Sequence, residues 1–257
     1  MNHDSIYVTP LGQAGFKIRF NKTVIYIDPY LSDSVAEREG DDLRRMVPVS
    51  MNPETVADAS LVLLTHIHAD HCDLATLLPV SQASKNCSFM CPYEVGLYLK
   101  KSGIDEARII FAKEAWIQWD DALRLIAVPA AHTLIERDSS GALRFVGYVM
   151  EYRGRRIYHA GDTSPHERII DSVRETGSIE YALLPVNERN YFKEQRGIIG
   201  NMSIREAFAM ASAIGAKTMI PTHWDMFRPN SVYREEIELL YDKLKPNFEL
   251  LINPARI

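Results

Sequence analysis

No stretch of the 257-residue sequence approaches the roughly 18 apolar residues that a membrane-spanning helix needs. Met1-Asn2-His3-Asp4 lacks the charged-then-apolar opening of a secretory signal. Cysteine is scarce. Three cannot pair completely, and Cys87 and Cys91, at i and i+4 on an expected strand, stack on one face too far apart for a bridge. These absences point to a reducing cytoplasm. Long basic blocks are missing as well. Lys and Arg number 29 against 34 Asp and Glu, a net charge of −5, which argues against a broad electrostatic grip on nucleic acid. A Gly-x-Ser-x-Gly elbow, a P-loop and a Rossmann glycine pattern are all absent, so those routes to nucleophilic or nucleotide chemistry are closed. There is no linker, low-complexity tract or short-period repeat. With 46% hydrophobic residues the chain can fill a substantial core, and one domain over residues 1–257 is expected.

What stands out instead is Leu63-Leu64-Thr65-His66-Ile67-His68-Ala69-Asp70-His71-Cys72-Asp73, with three histidines and one aspartate inside six residues. The apolar run 59–64 reads as a buried strand, and 74–84 as a helix capped by Asp73. The polar residues therefore fall on a strand-to-helix turn, which can aim several side chains at one spot. A regular strand would send alternate ones to opposite faces. Imidazoles and carboxylates are ligands for zinc, manganese or iron. Cys72 beside this turn reads as a small buried neighbour, with a reactive or ligating thiol as the other reading.

The pattern His-x-His-x-Asp-His resembles the signature of the metallo-β-lactamase superfamily. The resemblance implies three further ligands at later strand ends. Residues His132, Asp162 (in His159-Ala160-Gly161-Asp162-Thr163) and His223 (in Pro221-Thr222-His223-Trp224-Asp225) match them in order. It assigns His66, His68 and His132 to one divalent metal and Asp70, His71 and His223 to a second, with Asp162 bridging, and makes Asp70 and Asp162 catalytic. Asp28 matches the family's early aspartate, which would hydrogen-bond a ligand histidine; a strand-end turn aspartate is the other reading. The implied fold is α/β (α+β), an αββα four-layer sandwich of two mixed sheets with helices outside. Asp28-Pro29-Tyr30-Leu31, Pro185-Val186-Asn187, Ile199-Gly200-Asn201-Met202-Ser203 and the His223 motif resemble the ascorbate-6-phosphate lactonase (UlaG-like) branch. The bacterial lactonases themselves are longer chains, and this one lacks their extra segments.

The rest of the chain supports two rounds of strands followed by helices. Strands are expected at 6–8, 15–20 and 23–27, with a turn at Asn21-Lys22. Residues 32–53 read either as a partly helical insertion on the site side or as a solvated loop. A strand at 87–91, a helix at 93–102 ended by Gly103, and a strand at 107–111 follow. Hairpins are expected around Asp120-Asp121 and Arg153-Gly154, joined by a polar loop at 133–144. A helix after Pro165, a strand at 181–186 and a polar loop at 187–200 come next. Ser203-Ile204-Arg205-Glu206 is a capping-box pattern opening a helix to Ala213. The end of the chain reads as a strand at 217–220, a helix at 232–244 and a strand at 248–252.

Two dications, two aspartates and a bridging hydroxide sum formally to +1, which favours an anionic substrate or a developing oxyanion. Asn187 and Asn201 are candidate donors to an oxyanion or substrate hydroxyl, or else turn and cap residues. Arg189, Lys193 and Arg196 are candidate anion-holding cations, or else partners of Glu188 and Glu194. Trp224 and Phe227 wall the pocket or belong to the core, His159 is a polar neighbour, and His3 and His166 lie off the pattern. The expected activity is hydrolysis of a small phosphorylated sugar-acid lactone. A phosphodiesterase or nuclease on the same metals, and a non-enzymatic metal-binding protein, are the alternatives. No membrane partner is expected, and a homo-oligomer is compatible with the sequence.

Overall fold

The computed structural model describes residues 6–252 and Pro254, so His3 lies outside the described residues. The chain divides into two compact units. Among the described residues, one comprises 6–112, 137–144 and 254, the other 113–136 and 145–252.

In the first unit, β1 (Ile6–Gly12), β2 (Gly15–Phe20) and β3 (Thr23–Ile27) form an antiparallel meander. Asn21, at φ +54°, makes the tight turn between β2 and β3. Residues 32–53 are partly helical: α1 (Ser34–Glu39) and a 3₁₀ turn at Asp41–Leu43, with a second turn at Pro53–Thr55. Then come β4 (Leu61–Leu63), α2 (Leu74–Ala83), β5 (Ser88–Cys91), α3 (Tyr93–Lys101) and β6 (Ile109–Phe111). The sheet order is β1-β2-β3-β4-β5-β6, and β3 through β6 run parallel. All three residues of β4 are buried, as a parallel strand covered on both faces requires. Helix α3 packs on β5 and β6. The strand expected from 107 starts at Ile109, because Asp105 accepts from Ala107 N–H and winds Glu106–Arg108 into a 3₁₀ turn.

The second unit repeats the plan. It contains β7 (Ile117–Gln118), β8 (Leu123–Pro129), β9 (Val146–Tyr152), β10 (Arg155–His159), α4 (Glu167–Glu175) and β11 (Tyr181–Pro185). It continues with α5 (Tyr191–Glu194), α6 (Ile204–Ala213), β12 (Thr218–Thr222), α7 (Arg234–Leu244) and β13 (Glu249–Leu250). The sheet order is β13-β12-β11-β10-β9-β8-β7, parallel from β10 to β13 and antiparallel from β7 to β10. Helix α4 packs on β8, and α6 on β11 and α7. Strand β12 runs two residues past its expected end, through Pro221. Pro221 shares the parity of Met219, which faces β13, and pairing with β13 has ended by there, so the missing N–H leaves no gap in the ladder.

The fold class is therefore α/β with two mixed sheets and helices, as expected. Among the described residues no helix is long and apolar enough to cross a membrane. The capping box forms as its residues imply. Ser203 Oγ accepts from Glu206 N–H at 3.3 Å, and Glu206 accepts from Ser203 N–H at 2.8 Å. Ser203→Ala is expected to lower stability by about 1 kcal/mol in urea titration, with the slope unchanged. No change in midpoint would show that the cap carries no stability.

Candidate metal centre

Parallel pairing puts the ends of β3 and β4 side by side, since Asp28 N–H donates to the Leu63 carbonyl at 2.9 Å. Past β4 the chain turns at 66–73. His71 and Cys72 N–H both donate to the His68 carbonyl, and Asp73 caps α2 by accepting from Ala75 N–H. The turn gathers the first donor set. The His66 ring lies 4.6 Å from that of His68 and 4.1 Å from that of His71, centroid to centroid. Asp70 Oδ2 lies 3.7 Å from His71 Nε2.

Asp28 organises this set from behind. Its Oδ1 accepts Thr65 N–H at 2.8 Å, and its Oδ2 accepts the Thr65 hydroxyl at 2.6 Å. Oδ2 also lies 2.7 Å from His71 Nδ1, with both side chains fully buried. Thr65 Oγ1 is 3.0 Å from His66 Nδ1. The hydroxyl proton goes to Asp28, so Thr65 accepts from His66 Nδ1–H, while His71 Nδ1–H donates to Asp28. Both histidines thereby carry their proton on Nδ1 and present Nε2 as the lone pair, the tautomer a metal requires. Thr65 was not singled out by sequence, where it is one more hydroxyl in a turn. Gln13 was also missed. Its Nε2–H donates to Asp70 Oδ2 at 2.6 Å across 57 residues of sequence, which no local pattern reveals.

In the second unit, β10, β11 and β12 run parallel, and just past their carboxyl ends lie Asp162, Asn187 and His223. Ligand-binding residues gather at such strand ends in α/β sheets. Gly161 (φ +62°) turns the chain into Asp162, whose Oδ1 lies 3.4 Å from His223 Nε2. His132 follows β8. Ala131 N–H donates to Thr163 Oγ1 at 2.9 Å and Ser164 N–H to the Ala131 carbonyl at 2.7 Å, which ties His132 to the Asp162 loop. His159 Nδ1 accepts Gly161 N–H, and His166 caps α4. Phe227 is buried, and Trp224 packs on the core.

The remaining candidates divide. Asn187 is fully buried and donates through Nδ2 to Asn230 Oδ1 at 3.3 Å, leaving its Oδ1 with no partner among the described residues. Asn201 is 2% exposed, and neither of its amide atoms has such a partner. Lys193 turns inward, where its ammonium donates to the Asn187 and Glu188 carbonyls at 2.5 and 3.0 Å. Burial pushes its pKa down, with Glu188 opposing the shift. Arg189 pairs with Glu194 at 3.5 Å, and Arg196 is exposed. Cys72 is buried and its thiol is pushed well up by that burial, with Cys91, Asp28 and Asp73 adding to the shift, which keeps it an inert neighbour.

The chain belongs to the beta-lactamase superfamily: residues 23–224 match the family described as Beta-lactamase superfamily domain. Relatives named UPF0173 metal-dependent hydrolases match most of its length. The one from Pyrococcus abyssi is 27% identical over 250 residues, covering 93% of this chain and 96% of that protein. A Thermus thermophilus counterpart is 25% identical, covering 87% and 86%. Solved structures share the fold at lower identity. Igni18, a metallo hydrolase from Ignicoccus hospitalis, aligns with a TM-score of 0.73 at 19% identity, covering 98% of this chain and 97% of its own. An isothiocyanate hydrolase from Delia radicum gut bacteria aligns with a TM-score of 0.74 at 18% identity, covering 97% of each chain.

Proposed function

We propose that this chain is a metal-dependent hydrolase whose two donor sets together hold two divalent cations. His66, His68 and His132 would hold one, Asp70, His71 and His223 the other, and Asp162 both. The observation that carries the reading is the Asp28–Thr65 network, which holds His66 and His71 in the ligating tautomer from fully buried positions. The donor chemistry fits zinc, manganese or iron. Bound cations would supply a water-derived nucleophile at neutral pH and polarise the scissile carbonyl.

The protein's own part is orientation. Asp28 and Thr65 hold two imidazoles, and Asp70 and Asp162 set the charge so that the centre stays net cationic and draws a small anion. Lys193 braces the Asn187–Glu188 turn through two carbonyls, and so acts on the loop more than on the substrate. That brace holds Asn187, with Asn201, to meet a polar group of the substrate. Arg189, which pairs with Glu194, and Arg196 would meet an anionic tail. The bond opened is an ester or lactone, as in the ascorbate-6-phosphate lactonase branch.

Metal analysis of the purified protein, followed by a panel of lactones and phosphodiesters, tests this. Two equivalents of metal per chain and turnover of a phosphorylated lactone above its unphosphorylated counterpart are expected. Less than one equivalent would refute the metal centre, and turnover of diesters alone would refute the ester reading.

A further inference from the structure

Eight of the described non-glycine residues have positive φ. Asn21 and Arg153 turn hairpins, and Lys245 closes α7. The other five are Gln13, Asp28, Thr133, Glu188 and His223. Asp28 and His223 are site residues, Thr133 follows His132, and Glu188 follows Asn187. Left-handed backbone is costly for an L-residue and collects where function demands it. Gln13 turns a hairpin as Asn21 does, so what ties it to the site is its side chain and not its backbone.

Gln13 (φ +57°) occupies the turn between β1 and β2. A hairpin turn needs only asparagine or glycine there, as Asn21 shows at the next one. What glutamine adds is reach: its amide meets Asp70 Oδ2 at 2.6 Å, from a residue only 4% exposed. The turn also backs onto Asp28, since a Cβ on Gly15 would lie 3.0 Å from the Asp28 carbonyl oxygen. Asp70 is the carboxylate that needs an anchor. Its side chain is 18% exposed, against 5% for Asp162.

We infer that Gln13 is the positioning residue for Asp70, and that the β1–β2 turn is a strut of the metal centre. The inference rests on the two-metal reading above. A neutral amide suits the task. It donates to Oδ2 without adding a charge that would compete with a cation. Lysine would bring a positive charge beside the metal, and asparagine is one methylene too short.

The test is competition for Zn²⁺ between the full-length, zinc-loaded protein and a chromophoric chelator. Wild type, Gln13→Ala, Gln13→Gly, Asp70→Asn and the double variant Gln13→Ala/Asp70→Asn are compared. Gln13→Ala is expected to weaken one of the two equivalents by about tenfold or more and leave the other unchanged. Gln13→Gly should lose as much metal affinity although glycine relieves the backbone, a divergence that a merely structural residue would not produce. With Asp70→Asn already present, Gln13→Ala should add nothing. Wild-type affinity in both single Gln13 variants, or a full further loss in the double variant, overturns the assignment. A wild type that gives up fewer than two equivalents refutes the two-metal reading instead.

Discussion

Asp162→Ala is expected to lower kcat/KM by about 10³-fold on whichever ester or lactone the wild type hydrolyses. Asp162 carries one of the two carboxylates of the donor set, and its Oδ1 lies 3.4 Å from His223 Nε2. Removing it deletes a ligand proposed to serve both cations and leaves the site more positive. The fold should survive. Asp162 lies outside the strands, and the bonds that hold its loop run from Ala131 to Thr163 and Ser164, which the substitution leaves in place. Kinetics on metal-replete protein with circular dichroism as the control measure this. Turnover within tenfold of wild type would remove Asp162 from the catalytic centre.

Asp28 should show the largest effect on stability. Asp28→Ala leaves Thr65 N–H, the Thr65 hydroxyl and His71 Nδ1–H without their acceptor at a fully buried position. Each unsatisfied buried donor costs about 1–3 kcal/mol, so a loss of about 3 kcal/mol or more is expected. At roughly 2–4 °C per kcal/mol for a chain of this size, Tm falls by about 10 °C. Asp28→Asn separates packing from chemistry. It keeps the shape, but its amide nitrogen replaces an acceptor facing His71 Nδ1. His71 must then carry its proton on Nε2, the atom that would ligate. Metal affinity should drop about 10–100-fold while Tm falls less than in the alanine variant. Calorimetry and chelator competition on both variants read the two effects. Wild-type affinity in Asp28→Asn would show that the carboxylate does not set the tautomer.

The parts of the chain that were legible in advance were local. The turn at 66–73 announced itself because its polar residues interrupt an apolar strand and precede a capped helix, all within about fifteen residues. Hairpins at Asn21 and Arg153-Gly154 were legible because a two-residue reversal needs left-handed backbone, and only a few residue types accept it readily. The Ser203 capping box was legible for the same reason: its partners are three residues apart. Lys193 reads in the sequence as an anion-holding cation or a partner of Glu188 and Glu194, since nothing in Tyr191-Phe192-Lys193-Glu194 tells that its ammonium meets the carbonyls of Asn187 and Glu188. Whether residues 32–53 were helical stayed open because the segment has charges and prolines but no sustained period.

What the amino-acid sequence determined by itself is the α/β alternation, the family, and which side chains can act as donors. Those properties follow from hydrophobic period, capping chemistry and residue type, each set by near neighbours. Only the tertiary structure decided how the donors are held. Asp28 reaches Thr65 and His71 across 37 and 43 residues, and Gln13 reaches Asp70 across 57. These contacts exist because parallel pairing brings the ends of β3 and β4 together and because the β1–β2 turn backs onto Asp28. A hydrogen bond is made by atoms about 3 Å apart whatever their separation along the chain, so its partners become readable only once the strands are in register.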